Sequence, residues 1–226
     1  MNYDVSIIGS GPVGLCLAKA LSSLDLRICI IDQQNQSSLE APMDDGREVA
    51  ITHLSKKILI ELGTWDLIDQ ESVSLIKEAK VVNGLSPYSL HFNHQETKEE
   101  TLGYLVPNRL IKAAAYRAIS KLNNVDCLTE TIAKEFLITE DGVTLNLSNG
   151  DTITSDLLVA ADGRLSGSRR QMGIPSEVKD FGKTVIVCKM EHEEPHHNVA
   201  FECFHYGRTL AVLPMTGNFS SIVITI

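Results

Sequence analysis

The chain has 226 residues, 43% of them hydrophobic, and its 29 acidic side chains outweigh 20 basic ones to give a formal net charge of −9. That length supports one large domain or two small ones with a sizeable core. The negative balance, with Arg164, Arg169 and Arg170 as the one basic cluster, speaks against a nucleic-acid partner.

Regular elements begin at the N-terminus. Residues 5–8 form an apolar run suited to a buried parallel strand. Gly9, Gly11 and Gly14 follow with the spacing G-x-G-x-x-G, and an apolar helical stretch then carries Leu15, Leu17, Ala18, Leu21 and Leu24. A second strand, residues 27–31, ends in Asp32. Each part has a physical reason. Gly9 permits the sharp turn out of the strand, Gly11 lets a pyrophosphate approach the backbone, and Gly14 allows the helix to pack closely on the sheet. The free amides at the helix start face the anion, and Pro12 suits the first turn because its missing N–H costs nothing there. Asp32 lies close to the spacing of about 20 residues at which an acid takes the ribose hydroxyls, and its charge favours an unphosphorylated adenosine ribose, as in FAD or NAD. Together these predict a dinucleotide-binding βαβ unit.

Residues 33–45 are polar, contain Pro42 and read as a loop. The next helix has Thr52 as its N-cap, Leu54, Ile58, Leu59 and Leu62 on one face, and Gly63 as its stop. Residues 74–82 and 88–92 read as strands around a turn at Asn83-Gly84. A helix from Asn108 to Leu122 is expected to bury Leu110, Ala113, Ala114, Ala118 and Leu122. Strands over residues 131–138 and 143–147 flank a turn at Gly142, and a buried strand from Leu157 ends at Asp162-Gly163. Residues 167–172 predict a short helix. From Gly182 onward the pattern is strands only, over 184–190, 199–204, 209–214 and 220–226, which predicts a separate sheet-based region. The last of these ends the chain without a polar tail, so a longer protein is expected.

Cys16, Cys29, Cys127, Cys188 and Cys203 show no C-x-x-C spacing and read as buried free thiols. His192, His196 and His197 surround Pro195, which breaks regular ligand geometry, so a polar hairpin turn is expected there and no metal site. His205 shares a strand face with Cys203 and reads as a half-exposed strand histidine. No stretch reaches the roughly 18 consecutive apolar residues of a membrane span. The acidic start at Asp4 and the glycine-broken apolar run are unlike a signal peptide, so a cytoplasmic location is expected.

Three motifs in order resemble one family. They are Gly9-x-Gly11-x-x-Gly14 with Asp32, the segment from Asp45-Gly46-Arg47-Glu48 to His53, and Leu158-Val159-Ala160-Ala161-Asp162-Gly163-Arg164-x-Ser166-x-x-Arg169. The chain is similar to the class A flavin-dependent aromatic hydroxylases with the p-hydroxybenzoate hydroxylase fold, in their ubiquinone-biosynthesis branch. Pro87 after the Asn-Gly turn, and the run from Tyr206 to Pro214, look most like the UbiM-type demethoxyubiquinol hydroxylases.

The resemblance implies an α/β fold, with a Rossmann-like FAD-binding domain formed by residues 1–74 and 101–178. An incomplete, mainly β substrate domain would comprise residues 75–100 and 179–226. FAD is the implied cofactor and NAD(P)H the co-substrate. Gly9, Gly11 and Gly14 would cradle the pyrophosphate and Asp32 would bind the adenosine ribose. Arg47 would lie near the pyrophosphate and the NAD(P)H approach. Asn108 would hydrogen-bond the flavin or its ribityl chain, although a plain helix N-cap is a competing role for it. Asp162 and Gly163 would close on the ribityl side. The implied reaction transfers one oxygen of O₂ to a small aromatic or quinol substrate, which requires no protein nucleophile, and no catalytic side chain is singled out. A polyprenyl substrate would call for contact with the inner face of the membrane or with a biosynthetic complex. The family's further Gly-Asp motif is not found in these residues, so the activity of the chain alone is open. Another phenolic substrate, a non-catalytic flavoprotein acting through a partner, and an NAD-binding dehydrogenase are the competing functions. The last does not require the Asp162-Gly163 motif.

Overall fold

The computed structural model describes residues 1–205 and 207–226, so Tyr206 of the last family-like run lies outside the described residues. The first strand, β1 (Asn2–Ile8), leads through α1 (Pro12–Leu21) to β2 (Ile28–Ile31). Next comes a one-turn helix, α2 (Gln36–Glu40), inside the stretch expected to be loop. The Asn35 side chain accepts from the Ser38 N–H and caps it, and Leu39 is buried beneath it. Then follow β3 (Glu48–Ile51), α3 (His53–Glu61), β4 (Ser74–Ile76), β5 (Glu78–Asn83), β6 (Ser89–Asn93), β7 (Gly103–Pro107) and α4 (Asn108–Ile119). The chain continues with β8 (Val125–Leu128), β9 (Ala133–Thr139), β10 (Gly142–Leu147), β11 (Thr152–Ala160) and α5 (Gly167–Gln171). It closes with β12 (Val185–Glu191), β13 (Val199–His205), β14 (Arg208–Pro214) and β15 (Phe219–Thr225).

These elements form two compact units. The first comprises Met1–Met43, Leu59–Leu67 and Ile111–Glu177. Its sheet has the order β8-β2-β1-β11-β10-β9, parallel from β8 to β11 and antiparallel beyond. On one face, Leu15 and Ala18 of α1 and Ala115, Tyr116 and Ile119 of α4 pack on Val5, Ile7, Ile28 and Ile30. The central parallel strand β2 is apolar and buried at all four of its positions because both its faces are covered. On the other face, Val143, Leu145 and Leu147 of β10 pack on Tyr3, Cys29 and Ile31, so the antiparallel end curls back over the sheet.

The second unit comprises Asp44–Ile58, Ile68–Leu110 and Val178–Ile226. It is almost all strand, with a six-stranded sheet of order β12-β15-β14-β13-β5-β6 and a small antiparallel sheet of order β3-β7-β4. Ile76, Leu105 and Leu102 from the small-sheet region pack with Ala79, Ala200 and Leu213 of the large one. Residues 44–58, 68–74 and 101–110 are grouped in this unit with the large sheet. The small sheet closes on β5, β13 and β14, and its loops travel with it.

Three local expectations are corrected. Leu54 and Ile58 are exposed while Leu59 is buried, so the apolar face of α3 is narrower than its periodicity suggested. The segment 192–198 is no hairpin, because β15 and β14 lie between β12 and β13 in the sheet. Of the cysteines, all free thiols, Cys29 is buried and the other four are half-buried.

Candidate functional site

In the first unit, β1, β2 and β11 run parallel and end together, and β1 lies between β2, its successor through α1, and the distant β11. This is a topological switch point, where open α/β sheets bind ligands at the carboxyl ends of their strands. The predicted Gly9, Gly11, Gly14, Asp32, Asp162 and Gly163 all follow these three strand ends.

The three glycines of the loop have different surroundings. Gly9 has φ +108, and a Cβ there would lie 2.4 Å from the Ala161 carbonyl oxygen. The turn therefore passes directly against the end of β11, where the Ala161 N–H donates to the Ile8 carbonyl at 2.8 Å. A Cβ on Gly14 would lie 2.0 Å from the Gly9 carbonyl oxygen, so α1 can close on the loop only with glycine at that position. A Cβ on Gly11 would meet nothing within 4 Å. Gly11 is the N-cap of α1, has no side chain to cap the helix, and precedes Pro12; no acid occupies the first turn.

Asp32 is engaged in the loop itself. Its Oδ2 accepts the Ser10 N–H at 2.7 Å and its Oδ1 the Gln34 N–H at 2.8 Å, which fixes the glycine loop to the end of β2. Each carboxylate oxygen keeps a second lone pair for a further donor. Asp162 Oδ2 accepts the Ser168 N–H at 3.0 Å, whereas its buried Oδ1 has no partner among the described residues. Burial pushes the Asp162 carboxyl up, but hydrogen bonds from the Ser166 hydroxyl and from the Ser168 amide and hydroxyl outweigh it and hold the group below its ordinary value. Ser166 also caps α5 by accepting the Arg169 N–H at 3.0 Å. Ser166 belongs to the Asp162-Gly163-Arg164-x-Ser166-x-x-Arg169 motif, and Ser168 lies at one of its unspecified positions.

Arg47 and Asn108 lie in the second unit, together at the paired ends of β3 and β7. Asp45 Oδ2 accepts Arg47 Nε–H at 2.8 Å and Asn108 Nδ2–H at 3.3 Å. Asn108 is the first residue of α4, and its side chain is turned to Asp45. Arg109 lies 3.7 Å from Asp44. Glu48 is half-buried, and its carboxyl is pushed up to about 7 by burial and by Asp44, with Lys189 and Arg109 opposing. Glu48 carries no recognisable signal in the sequence, because its environment is assembled from β12 and the start of α4.

The sequence model of the FAD binding domain family matches residues 2–226. The chain belongs to that family. Ubiquinone hydroxylase UbiM of Neisseria meningitidis is 41% identical over 230 residues, covering all of this chain and 50% of that protein. Ubiquinone hydroxylase UbiL of Rhodospirillum rubrum is 37% identical over 222 residues, covering 98% of this chain and 51% of that protein. The chain thus spans about half the length of the curated relatives it matches. Among solved structures, Pseudomonas aeruginosa PqsL in complex with 2-aminobenzoylacetate superposes with a TM-score of 0.85 at 17% identity, over all of this chain and 61% of that one. At that identity the likeness shows the shared fold.

The residues of this FAD-binding family member fit its cofactor. The open space beside Gly11 would leave room for a pyrophosphate at the backbone, and the uncapped start of α1 offers N–H donors and a positive dipole end. The ionised Asp162, with one buried oxygen unpartnered, suits a ligand hydroxyl. Cys29 and Cys127 suit no covalent role. Burial pushes Cys29 up to about 12 and Cys127 up to about 11, away from a reactive thiolate. The histidine group is occupied structurally: His192 Nε2 meets the Ser220 hydroxyl at 3.1 Å and His196 Nε2 the Met215 carbonyl at 2.7 Å. His205 is exposed at the end of β13. Among the described residues no helix is long and apolar enough to cross a membrane.

Proposed function

We propose that the protein is an FAD-dependent monooxygenase that hydroxylates an aromatic or quinol ring in ubiquinone biosynthesis, with NAD(P)H and O₂ as co-substrates. The observation that carries this reading is the 41% identity to ubiquinone hydroxylase UbiM over the whole chain. The built switch point of the first unit supports it. Bound FAD supplies the redox chemistry, taking reducing equivalents from NAD(P)H and activating O₂.

The chain's own residues hold and orient. Gly11 and the first amides of α1 bind the pyrophosphate, while Gly9 and Gly14 keep the loop close enough to the sheet to do so. Asp32 accepts the adenosine ribose hydroxyls with the lone pairs its backbone contacts leave. Asp162, kept ionised by its serines, accepts a ribityl hydroxyl, and Gly163 leaves the approach open. Arg47 and Asn108 are further cofactor contacts by family resemblance. The ring-bearing substrate is apolar, and the half-exposed apolar side chains of the six-stranded sheet suit it. A polyprenylated ring partitions into lipid, so the site of action is the cytoplasm at the inner face of the membrane, alone or within a biosynthetic complex.

The test begins with the visible spectrum of the purified protein with and without added FAD. Stoichiometric flavin is expected, followed by NAD(P)H oxidation that a demethoxyubiquinol analogue stimulates, with a product heavier by one oxygen. Bound flavin without ring hydroxylation would remove the substrate assignment, and absence of flavin binding would remove the whole reading.

A further inference from the structure

We propose that one end of the six-stranded sheet in the second unit docks on an anionic phospholipid bilayer, with the turn between β5 and β6 as the part that enters the lipid. The choice of lipid as partner rests on the reading that the substrate ring carries a polyprenyl chain. Strand register brings the parts together. Val185, Thr225, Thr209, Phe204 and Asn83 form one row across β12, β15, β14, β13 and β5. His205 and Arg208 pair one position further out, and Lys183 lies two positions before Val185; all three are exposed. The turn beyond Asn83 is ordered. Gly84 N–H donates to the Phe204 carbonyl at 2.7 Å, Ser86 N–H to the Asn83 carbonyl at 3.0 Å, and Tyr88 N–H to the Ser86 hydroxyl at 3.2 Å. On this fixed turn Leu85 is 91% exposed and Tyr88 84%.

Single exposed apolar side chains are common on any protein surface. Here two of them crown a turn, a place that normally selects polar residues. Residues 81–90 around them contain no Asp, Glu, Lys, Arg or His. Leu90, Phe204 and Val185 add exposed apolar groups on one face of the same sheet end. The rim is basic although the chain carries a net charge of −9. Arg208 and Lys183 supply it, with Lys179 beside the exposed Phe181 ring, 5.4 Å from its centroid. Of the acids nearest to them in sequence, Asp180 turns Oδ1 to the Gly182 N–H at 2.8 Å, and Glu202 is half-buried three positions behind His205. That places Glu202 about 10 Å back along β13. An apolar tip with a cationic rim is complementary to a bilayer that is hydrocarbon below and phosphate above. Entry by about 5 Å buries Leu85, leaves the Tyr88 hydroxyl in the wet interface and brings Arg208 to the phosphates.

Vesicle flotation of the purified chain tests this. Vesicles of phosphatidylcholine with phosphatidylglycerol should carry the protein, and phosphatidylcholine alone should carry about tenfold less. Leu85→Ser/Tyr88→Ser should weaken binding about tenfold. Lys183→Gln/Arg208→Gln should remove the preference for anionic lipid, whereas Leu137→Ser, at an exposed apolar position on β9, should change nothing. Leu85→Trp reads entry directly, because the single native tryptophan, Trp65, is buried. Its emission should shift to the blue and be quenched by brominated lipid. Absence of vesicle binding, an equal loss from Leu137→Ser, or no quenching in Leu85→Trp overturns the proposal. So does a dimer seen by light scattering that Leu85→Ser/Tyr88→Ser dissolves without any vesicle binding, since the surface would then belong to a second copy. The reaction is judged separately, by flavin content and by oxidation of a water-soluble quinol analogue. If that oxidation persists and vesicles are not bound, the docking surface alone fails. If the protein takes no flavin yet floats through Leu85 and Tyr88, the reaction assignment fails and the docking surface holds.

Discussion

The two units build their candidate sites from different materials. In the first, the site is backbone: a turn forced against β11 at Gly9, a helix closed on that turn at Gly14, and an open approach at Gly11. In the second, it is side chain: one carboxylate shared by Arg47 and Asn108, beside a half-buried Glu48. A backbone site is specified by residues that lack something, and substitutions there act through sterics. A side-chain site is specified by charge, and substitutions there act through pH and salt.

The largest expected effect breaks the backbone site. Gly9→Ala must adopt φ +108 and place a Cβ 2.4 Å from a backbone oxygen. Backbone strain of about 1–3 kcal/mol adds there to a comparable overpacking cost. Gly14→Ala meets only the steric part, against the Gly9 carbonyl. Urea denaturation should place Gly9→Ala lowest, Gly14→Ala next and the wild type highest. Equal midpoints would mean that the turn relaxes freely.

Gly11→Ala sharpens the same contrast. The new methyl meets no protein atom within 4 Å, and φ is −68. Stability should therefore change by less than about 0.5 kcal/mol, while FAD affinity drops about tenfold or more because the methyl occupies the pyrophosphate approach. A variant that loses stability and retains affinity would reverse the assigned roles of Gly11 and Gly14.

This division explains what could be read from the sequence. The glycine loop, Asp32 and the Asp162-Gly163 turn were legible because each is local: a strand, a turn and the residue at its end. The sheet-only tail was legible from its alternation with turns, and all four of its strands agree with expectation to within a residue at each end, β13 and β14 each gaining one residue, the paired His205 and Arg208. The partners of those strands were not legible. Nothing in residues 192–198 says that β12 will pair with β15 and leave β13 to pair with β5, because those partners come from distant parts of the chain. The Asp45 arrangement was hidden for the same reason, since its second partner arrives from the start of α4.

Asp162 lies between the two kinds of site, a charged group held by backbone and hydroxyl donors. Its folded carboxyl is held below the ordinary value, because the Ser166 and Ser168 hydrogen bonds outweigh the opposing burial. A depressed carboxylate contributes stability above its unfolded pKa and loses it as pH falls through the folded one. Asp162→Asn should therefore lower the urea midpoint near neutrality, and the gap to wild type should narrow in acid, below the ordinary carboxylate range. A gap independent of pH would assign the effect to shape instead of charge.

Glu48 gives the smallest effect and the opposite sign. Its carboxyl is raised from an ordinary 4.5 to about 7, first by burial and then by the neighbouring Asp44. Between those values the folded state binds more protons than the unfolded one, so stability falls as pH rises from about 4.5 to about 7, and above that range ionised Glu48 is a standing cost. Glu48→Gln removes the cost and keeps the size of the side chain. The variant should match the wild type in acid and unfold at higher urea than the wild type above neutrality. Because Glu48 is only half-buried, solvent screening keeps the difference modest. If Glu48→Gln is instead less stable above neutrality, then Lys189 and Arg109 outweigh the burial and Asp44, and Glu48 is an ion-pair partner that the second unit needs charged.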